Sequence, residues 1–586
     1  MSHRANKAKT IYSTADSKTS DRQNSASRRE FLTRIPGAAA VTLASTAVPL
    51  GVSAEAGGGQ GNGSDGTGTD RVRDSYQIRE EAARAETKVP PPTQNPNGDE
   101  RRYRNQNYIG NYSKGLPRLT NNFGEVDPAA YLSFLNAVRQ GTAAAFENLT
   151  LGGNTKLVNP LAGLAFDLEG IDSHQLKIPS FPRLDSAELA DQAIELYWMA
   201  LCRDVNFMKY ETDPLAIAAA AELSKLAAFG GPRSSGIVTP QTLFRGFTAG
   251  DVIGPYASQF LLKQFSYGPY EMNGLMTVPL PGDDYLTTAD RWLASQRGQG
   301  PFGANRLDPE PRAIRNGRDL ANYVHTDPNA GLFMSFYNAG IFLFEQNALL
   351  QNQNKASLLN PGNPYLQYKN QDPFGTFGVP FFLGLIGEAA MRAFKAAWYA
   401  KWFVHRALRP DQYGGLVHWT NKKQKAYPLH TDILNSQAVA TSFANYGSYF
   451  LPQAYPEAGP QHPSYPSGHA TMAGACATIL KAAFNGSTPF AELPDKTVLV
   501  VGDDGLPVSA SDIPGLTING EINKLASNIA MGRDFAGIHW RSDAEEGLRL
   551  GEAVALSILR DQSENYTGED FEGFTITTFD GDNMIV

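Results

Sequence analysis

Cysteine is nearly absent: the 586-residue chain holds only Cys202 and Cys476. That excludes a disulfide-stapled scaffold and a cysteine-rich zinc site. Both lie in apolar, helix-like runs, which leaves either one disulfide or two buried free thiols. None of the nine histidines forms an HExxH pattern, so the common zinc-hydrolase signature is missing as well. Alternating apolar and polar runs are scarce. Only 497–501 and 574–579 read as strands, and both are short. Surplus positive charge is lacking too: 51 Lys and Arg stand against 59 Asp and Glu, for a net charge of −8, which argues against nucleic acid or an anionic membrane as partner. Past the N-terminal region no apolar run is long enough to cross a bilayer. The best, 330–344, lacks charge for 15 residues and contains Asn338.

What is present begins with an export-like N-terminus. Ser27-Arg28-Arg29-Glu30-Phe31-Leu32 precedes an uncharged, Ala-rich stretch at 35–52 that ends at Val52-Ser53-Ala54, a small-residue cleavage pattern. Paired arginines followed by Phe-Leu resemble a twin-arginine signal, so 1–54 is expected to be an export signal and the mature protein periplasmic or extracellular in a bacterium. Residues 1–54 carry a net +5, which leaves about −13 for the rest. Any cluster of cations there is placed against the overall field. Residues 57–70 are rich in Gly, Ser and Asp, and 71–107 are charged and proline-broken; 55–107 therefore reads as a flexible linker and extended arm. Such arms often hold oligomers together.

Residues 108–586 read as one helical catalytic region. Apolar residues recur at spacings of three and four in 128–148, 186–210, 215–228, 239–265, 286–296, 318–324, 332–350, 380–407, 432–446, 470–483, 521–533 and 539–560. Gly/Pro-rich loops separate them. The fold class is all-α: two packed four-helix bundles with few short strands.

Three stretches carry chemistry. In QHPSYPSGHAT, 461–471, a proline-punctuated loop runs into Ser467, Gly468 and His469 and then an apolar helix. Free amides and the positive end of a helix dipole make that junction an anion cradle. In AAWYAKWFVHRALRP, 396–410, Lys401, His405 and Arg409 recur every four residues on one helix face, among Trp398, Tyr399, Trp402 and Phe403. Pro410 disfavours helical geometry at Arg409 and would end the helix there. In GRDFAGIHWRSD, 532–543, Arg533 precedes His539 by six residues, and Asp543 lies one turn beyond, close enough to orient the ring. Each stretch alone has an ordinary reading: a helix cap, a solvated basic face, a core histidine. Together they offer three cations, a hydroxyl, an amide and two histidines to a tetrahedral or trigonal-bipyramidal oxyanion.

The set Lys401-x7-Arg409-Pro410, Pro466-Ser467-Gly468-His469 and Arg533-x5-His539-x3-Asp543 resembles the signature shared by vanadium-dependent haloperoxidases and acid phosphatases related to type 2 phosphatidic acid phosphatase. Vanadate and phosphate are near-isosteric, so one pocket can hold either. The seven-residue gap from Lys401 to Arg409, His462 five residues before Ser467, Gly414-Gly415 and the segment GRDLANYVHTDP at 317–328 are similar to the bromoperoxidase type of red algae and cyanobacteria. Gly532 departs from the serine of the phosphatases.

The resemblance implies orthovanadate linked to His539 Nε2, neutralised by Lys401, Arg409 and Arg533, and hydrogen-bonded by Ser467 and the Gly468 amide. His469 would move protons as hydrogen peroxide binds. Lys401 would polarise the bound peroxide for attack by bromide, releasing hypobromous acid or an equivalent that halogenates small organic acceptors. His462 would sit near the halide or tune His469, with Asp543 supporting His539. Halide choice would depend on packing around Trp402, Phe403 and His462. The resemblance further implies a homo-oligomer, from dimer to dodecamer, and a structural Ca²⁺ at 367–372, whose side chains and carbonyls supply oxygen ligands. The alternatives are an acid phosphatase using His539 as a phosphorylated nucleophile and an exported anion-binding or structural helical protein.

Overall fold

An apolar sequence on every side of a helix calls for burial on every side, and the run after Ser467 meets that demand. The computed structural model describes residues 68–88, 90–300, 303–325, 333–510, 513–566 and 568–586; the expected export signal at 1–54 lies outside them. The helices that build the site are α1 (Ala187–Leu201), α2 (Met334–Asn352), α3 (Val379–Tyr399), α4 (Pro410–Asn421), α5 (Gly468–Ala483), α6 (Ile518–Phe535) and α7 (Arg541–Ser563). Every residue of α5 is buried. Helices α2, α3, α6 and α7 pack around it, and together they form most of one large hydrophobic core.

Helices α5 and α7 run side by side at backbone contact. A Cβ on Gly551 would lie 1.9 Å from the Thr471 carbonyl oxygen, and one on Gly474 would lie 2.1 Å from that of Leu548. Only glycine permits that approach. The pairing of Ala470 with Gly547 and of Thr471 with Gly551 makes the two helices parallel. Their positive N-terminal ends therefore open at the same end of the core. Side-chain caps start the neighbouring helices: Ser186 accepts from Leu189 N, and Thr517 from Gly520 N.

The described strands form two-stranded antiparallel hairpins. Leu499–Val501 pairs with Pro507–Ser509 and Thr575–Thr577 with Asn583–Ile585, at the two places expected from sequence. A third, Phe265–Tyr267 with Tyr270–Met272, was not expected. Cys202 and Cys476 are free and buried.

Several expected helices are absent or broken. Residues 239–265 contain turns and one short 3-10 helix, Gln259–Leu261, because Pro240, Gly250, Gly254 and Pro255 interrupt the apolar spacing. The Arg245 guanidinium takes over the loop's carbonyls, bonding those of Asp251, Gly254 and Pro255 at 2.6, 2.8 and 3.1 Å. The expected 432–446 helix divides into Thr431–Leu434 and Gln437–Tyr446, where the Ser436 hydroxyl caps a new start. Helix α4 was missed because Gly414-Gly415 reads as a breaker. Gly415 instead makes room for Trp292, whose ring would lie 2.0 Å from an added Cβ. Within 55–107, Gly68–Thr87 is an α-helix. By contacts the chain divides at Ala83, and α1–α7 all belong to the unit Arg84–Val586.

Candidate active site

The α3–α4 connection sets the first wall. Helix α3 passes into a π-helical turn, Ala400–His405, then Arg406 turns left-handed at φ 43°, and Arg409 caps the start of α4. The wider turn and the reversal remove Lys401, His405 and Arg409 from the single helix face expected for them. His405 points to the edge of Tyr465, 4.8 Å between ring centroids, and burial pushes its pKa down to about 3, so it stays neutral there. Lys401 and Arg409 grip one loop. Lys401 Nζ donates to the carbonyls of Pro463 and Ser464 at 2.9 and 2.6 Å. Arg409 Nε donates to the His462 carbonyl at 2.9 Å, Nη1 to the Ile538 carbonyl at 2.8 Å, and Nη2 meets His462 Nδ1 at 2.9 Å.

The turn from α6 into α7 sets the second wall. Gly537, at φ +81°, ends α6 and redirects the chain, with Ile538 N donating back to the Arg533 carbonyl at 3.3 Å. His539 follows. Its Nδ1 lies 2.6 Å from Asp543 Oδ2, and its Nε2 lies 3.1 Å from Arg409 Nη1. A guanidinium only donates, so the proton sits on Nδ1 and the lone pair on Nε2, the form a metal requires. Asp543 also accepts from the Ser464 hydroxyl and from Trp540 N. Burial pushes its pKa up to about 6, against the pull of Lys401.

The third wall is the start of α5. Ser467 is its N-cap, its hydroxyl accepting from Ala470 N at 3.4 Å, while Ser467 N donates to the Asp543 carbonyl at 3.0 Å and so ties α5 to α7. Gly468 lies under Trp398: an added Cβ would sit 2.8 Å from the indole. Arg533 reaches in from α6, with Nη1 donating to the Val324 carbonyl at 2.8 Å and to the Tyr455 hydroxyl at 3.3 Å.

Lys401 and Arg409 are fully buried, Arg533 is 3% exposed and His539 1%. Burial, and then mutual repulsion led by Arg409, drives the Lys401 pKa well below its usual value. Burial likewise holds His462, His469 and His539 well below the histidine range, aided by the nearby cations. Such a cluster, with Asp543 as the carboxylate inside it, is electrostatically incomplete without an anion. Arg533 Nε and His469 Nε2 are buried with no hydrogen-bond partner among the described residues. Two helix N-termini, three cations, an imidazole lone pair and these two nitrogens fit vanadate.

The structure thus brings together Lys401, Arg409, His462, Ser467, Gly468, His469, Arg533 and His539, with Asp543 behind His539. Of the two aromatics on whose packing halide choice was expected to depend, Trp402 packs with Tyr112, Phe134 and Phe146, and Phe403 stacks on Tyr399 at the edge of the same cluster. Trp398 is the aromatic beside the site, its ring 4.9 Å from the His462 ring and 5.8 Å from Lys401 Nζ. Sequence reasoning missed Ser464 and Tyr455. Ser464 stood in plain view three residues before Ser467, but nothing in the pattern ties it to Asp543, and Tyr455 lies in a loop without periodicity.

The chain is similar to known proteins over most of its length. Residues 381–567, which hold Lys401 through Asp543, match the family described as the VCPO second helical-bundle domain. A vanadium-dependent bromoperoxidase of Ascophyllum nodosum is 35% identical over 487 residues, covering 80% of this chain and 85% of that protein. One of Corallina pilulifera is 33% identical over 579 residues, covering 83% and 93%. The solved structure of the homohexameric second vanadate-dependent bromoperoxidase of Ascophyllum nodosum superposes with a TM-score of 0.80 at 30% identity, covering 88% of this chain and 90% of that one. Identity over most of both lengths, on the same helical fold, shows that the chain belongs to the vanadium-dependent bromoperoxidases.

Proposed function

We propose that the protein oxidises bromide with hydrogen peroxide and one proton to hypobromous acid and water, using vanadate held by His539, Lys401, Arg409, Arg533, Ser467 and the Gly468 amide. The oxidant then halogenates small organic acceptors. The observation that carries this reading is His539 Nε2, its lone pair fixed by the Nδ1–Asp543 hydrogen bond and turned toward buried cations. When bound, vanadate supplies a Lewis acid that activates peroxide without a change in oxidation state. Asp543 holds the proton on Nδ1. Lys401, Arg409 and Arg533 would neutralise the oxyanion's charge, in a setting where burial strengthens each contact. His469 Nε2, buried and unpartnered, is placed to hold or release a proton at the site. His462, held between Arg409 and Trp398, would sit near the halide or tune His469.

The test is bromination of a 1,3-diketone with bromide and peroxide by chelator-treated protein, before and after adding vanadate. A vanadate-dependent gain is expected. Brisk hydrolysis of an aryl phosphate by the vanadate-free protein, with no such gain, would favour the phosphatase reading.

The homohexameric neighbour supports a homo-oligomer, anywhere from dimer to dodecamer, which light scattering would size. Export rests on the Arg28-Arg29 signal, and the N-terminus of secreted protein would show cleavage after Ala54. A structural Ca²⁺ at 367–372 would draw on carbonyl and amide oxygens; among the described residues no group of three or more His, Cys, Asp or Glu gathers for a metal. No described helix is long and apolar enough to cross a membrane.

A further inference from the structure

The three cations are held unequally. Lys401 has two loop carbonyls, and Arg409 has two firm carbonyls together with His462. Arg533 has the Val324 carbonyl and a longer contact to the Tyr455 hydroxyl. Its guanidinium lies 5.4 Å from the centre of the Tyr455 ring. That ring is 2% exposed, and its hydroxyl donates to the Ala321 carbonyl, which fixes its tilt.

The same ring stacks on His325, with centroids 3.9 Å apart and planes 13° from parallel. His325 Nε2 is anchored to Glu457 Oε1 at 2.5 Å. His325 also follows Val324, whose carbonyl receives Arg533. It therefore reaches Arg533 by two routes, one through the Tyr455 ring and one through the backbone. Side-chain exposure is 22% for His325 and 42% for Glu457, so the assembly runs from solvent to a buried cation.

We propose that Tyr455, His325 and Glu457 are positioning residues for Arg533: a stack that presses its guanidinium toward the oxyanion. The inference rests on the vanadate site proposed above, and it adds residues that touch no reacting atom. Side chains that orient a direct ligand commonly change affinity by about 10–100-fold when removed.

The test is a double-mutant cycle read as vanadate binding by calorimetry, on the chelator-treated full chain, with inorganic phosphate as a redox-inert second probe. His325→Ala should weaken vanadate binding about 10-fold in the wild-type background, with the unfolding midpoint little changed. His325→Phe, which keeps a flat ring on Tyr455, should recover much of that loss. In the Arg533→Ala background, His325→Ala should add no further loss, because the residue it positions is gone. Equal losses in the two backgrounds, or no loss where Arg533 is present, would overturn the proposal. Should His325→Ala fail to fold, the half-exposed Glu457→Ala takes its place in the cycle: a loss confined to the protein that keeps Arg533 supports the proposal, and equal losses or none overturn it. If Arg533→Ala alone leaves vanadate binding intact, the site reading fails and this proposal with it, an outcome visible before His325 is changed.

Discussion

Asp543 accepts hydrogen bonds from His539 Nδ1 and the Ser464 hydroxyl, and its carbonyl accepts from Ser467 N, so one residue ties the second wall to the third and, through the Ser464 loop that Lys401 grips, to the first. Asp543→Asn keeps the shape but removes the charge that fixes the imidazole tautomer. Vanadate affinity is expected to fall about 10–100-fold, measured by equilibrium dialysis, with the helical circular-dichroism signal unchanged. Lys401, Arg409, Arg533 and His539 stood out only when the three stretches were read together and set beside the haloperoxidase signature they resemble; each stretch alone has an ordinary reading. Tyr455, Ser464 and His325 were not singled out, because their importance lies in what the folded loops bring beside them. The Trp402 expectation failed for a related reason: the π-turn rotates Trp402 into the Tyr112–Phe134 cluster and leaves Trp398 over His462.

At the scale of elements, the site depends on α5 and α7 lying at backbone contact. Gly551→Ala would force a methyl to within 1.9 Å of the Thr471 carbonyl, and overpacking of that kind costs about 1–3 kcal/mol. A lower unfolding midpoint and weaker vanadate binding are expected together, because the shift separates Ser467 from Asp543. Gly537→Ala should cost about 1–2 kcal/mol through the left-handed backbone at that turn, read as a lower denaturant midpoint. The helical character of most elements could be seen in their spacing. The failures share a cause: in 239–265 side-chain capture of carbonyls by Arg245 replaces the helix ladder, and in α4 the glycine pair that looked like a breaker admits Trp292. Apolar spacing reports which face is buried. It does not report which backbone groups find partners elsewhere.

At the scale of the molecule, a chain of net charge −8 gathers a buried cluster of positive charge. Folding places those cations together around the Asp543 carboxylate, more positive groups than that one charge offsets, so an anion that fills the site should stabilise the whole protein. A ligand at one hundred times its dissociation constant adds about 2.7 kcal/mol. Vanadate added to chelator-treated protein should therefore raise the thermal unfolding midpoint, and phosphate should do so at higher concentration; differential scanning calorimetry reads both. Arg409→Ala and Lys401→Ala should blunt that rise.

The central claim is that the cation-lined pocket binds vanadate through His539. The most direct measurement is ⁵¹V NMR of vanadate titrated into the chelator-treated full chain, wild type beside His539→Ala. The account predicts a broadened, shifted resonance saturating near one vanadate per chain in the wild type, and only the free-vanadate line at the same concentration with His539→Ala. The same bound signal in both proteins, or in neither, would contradict it.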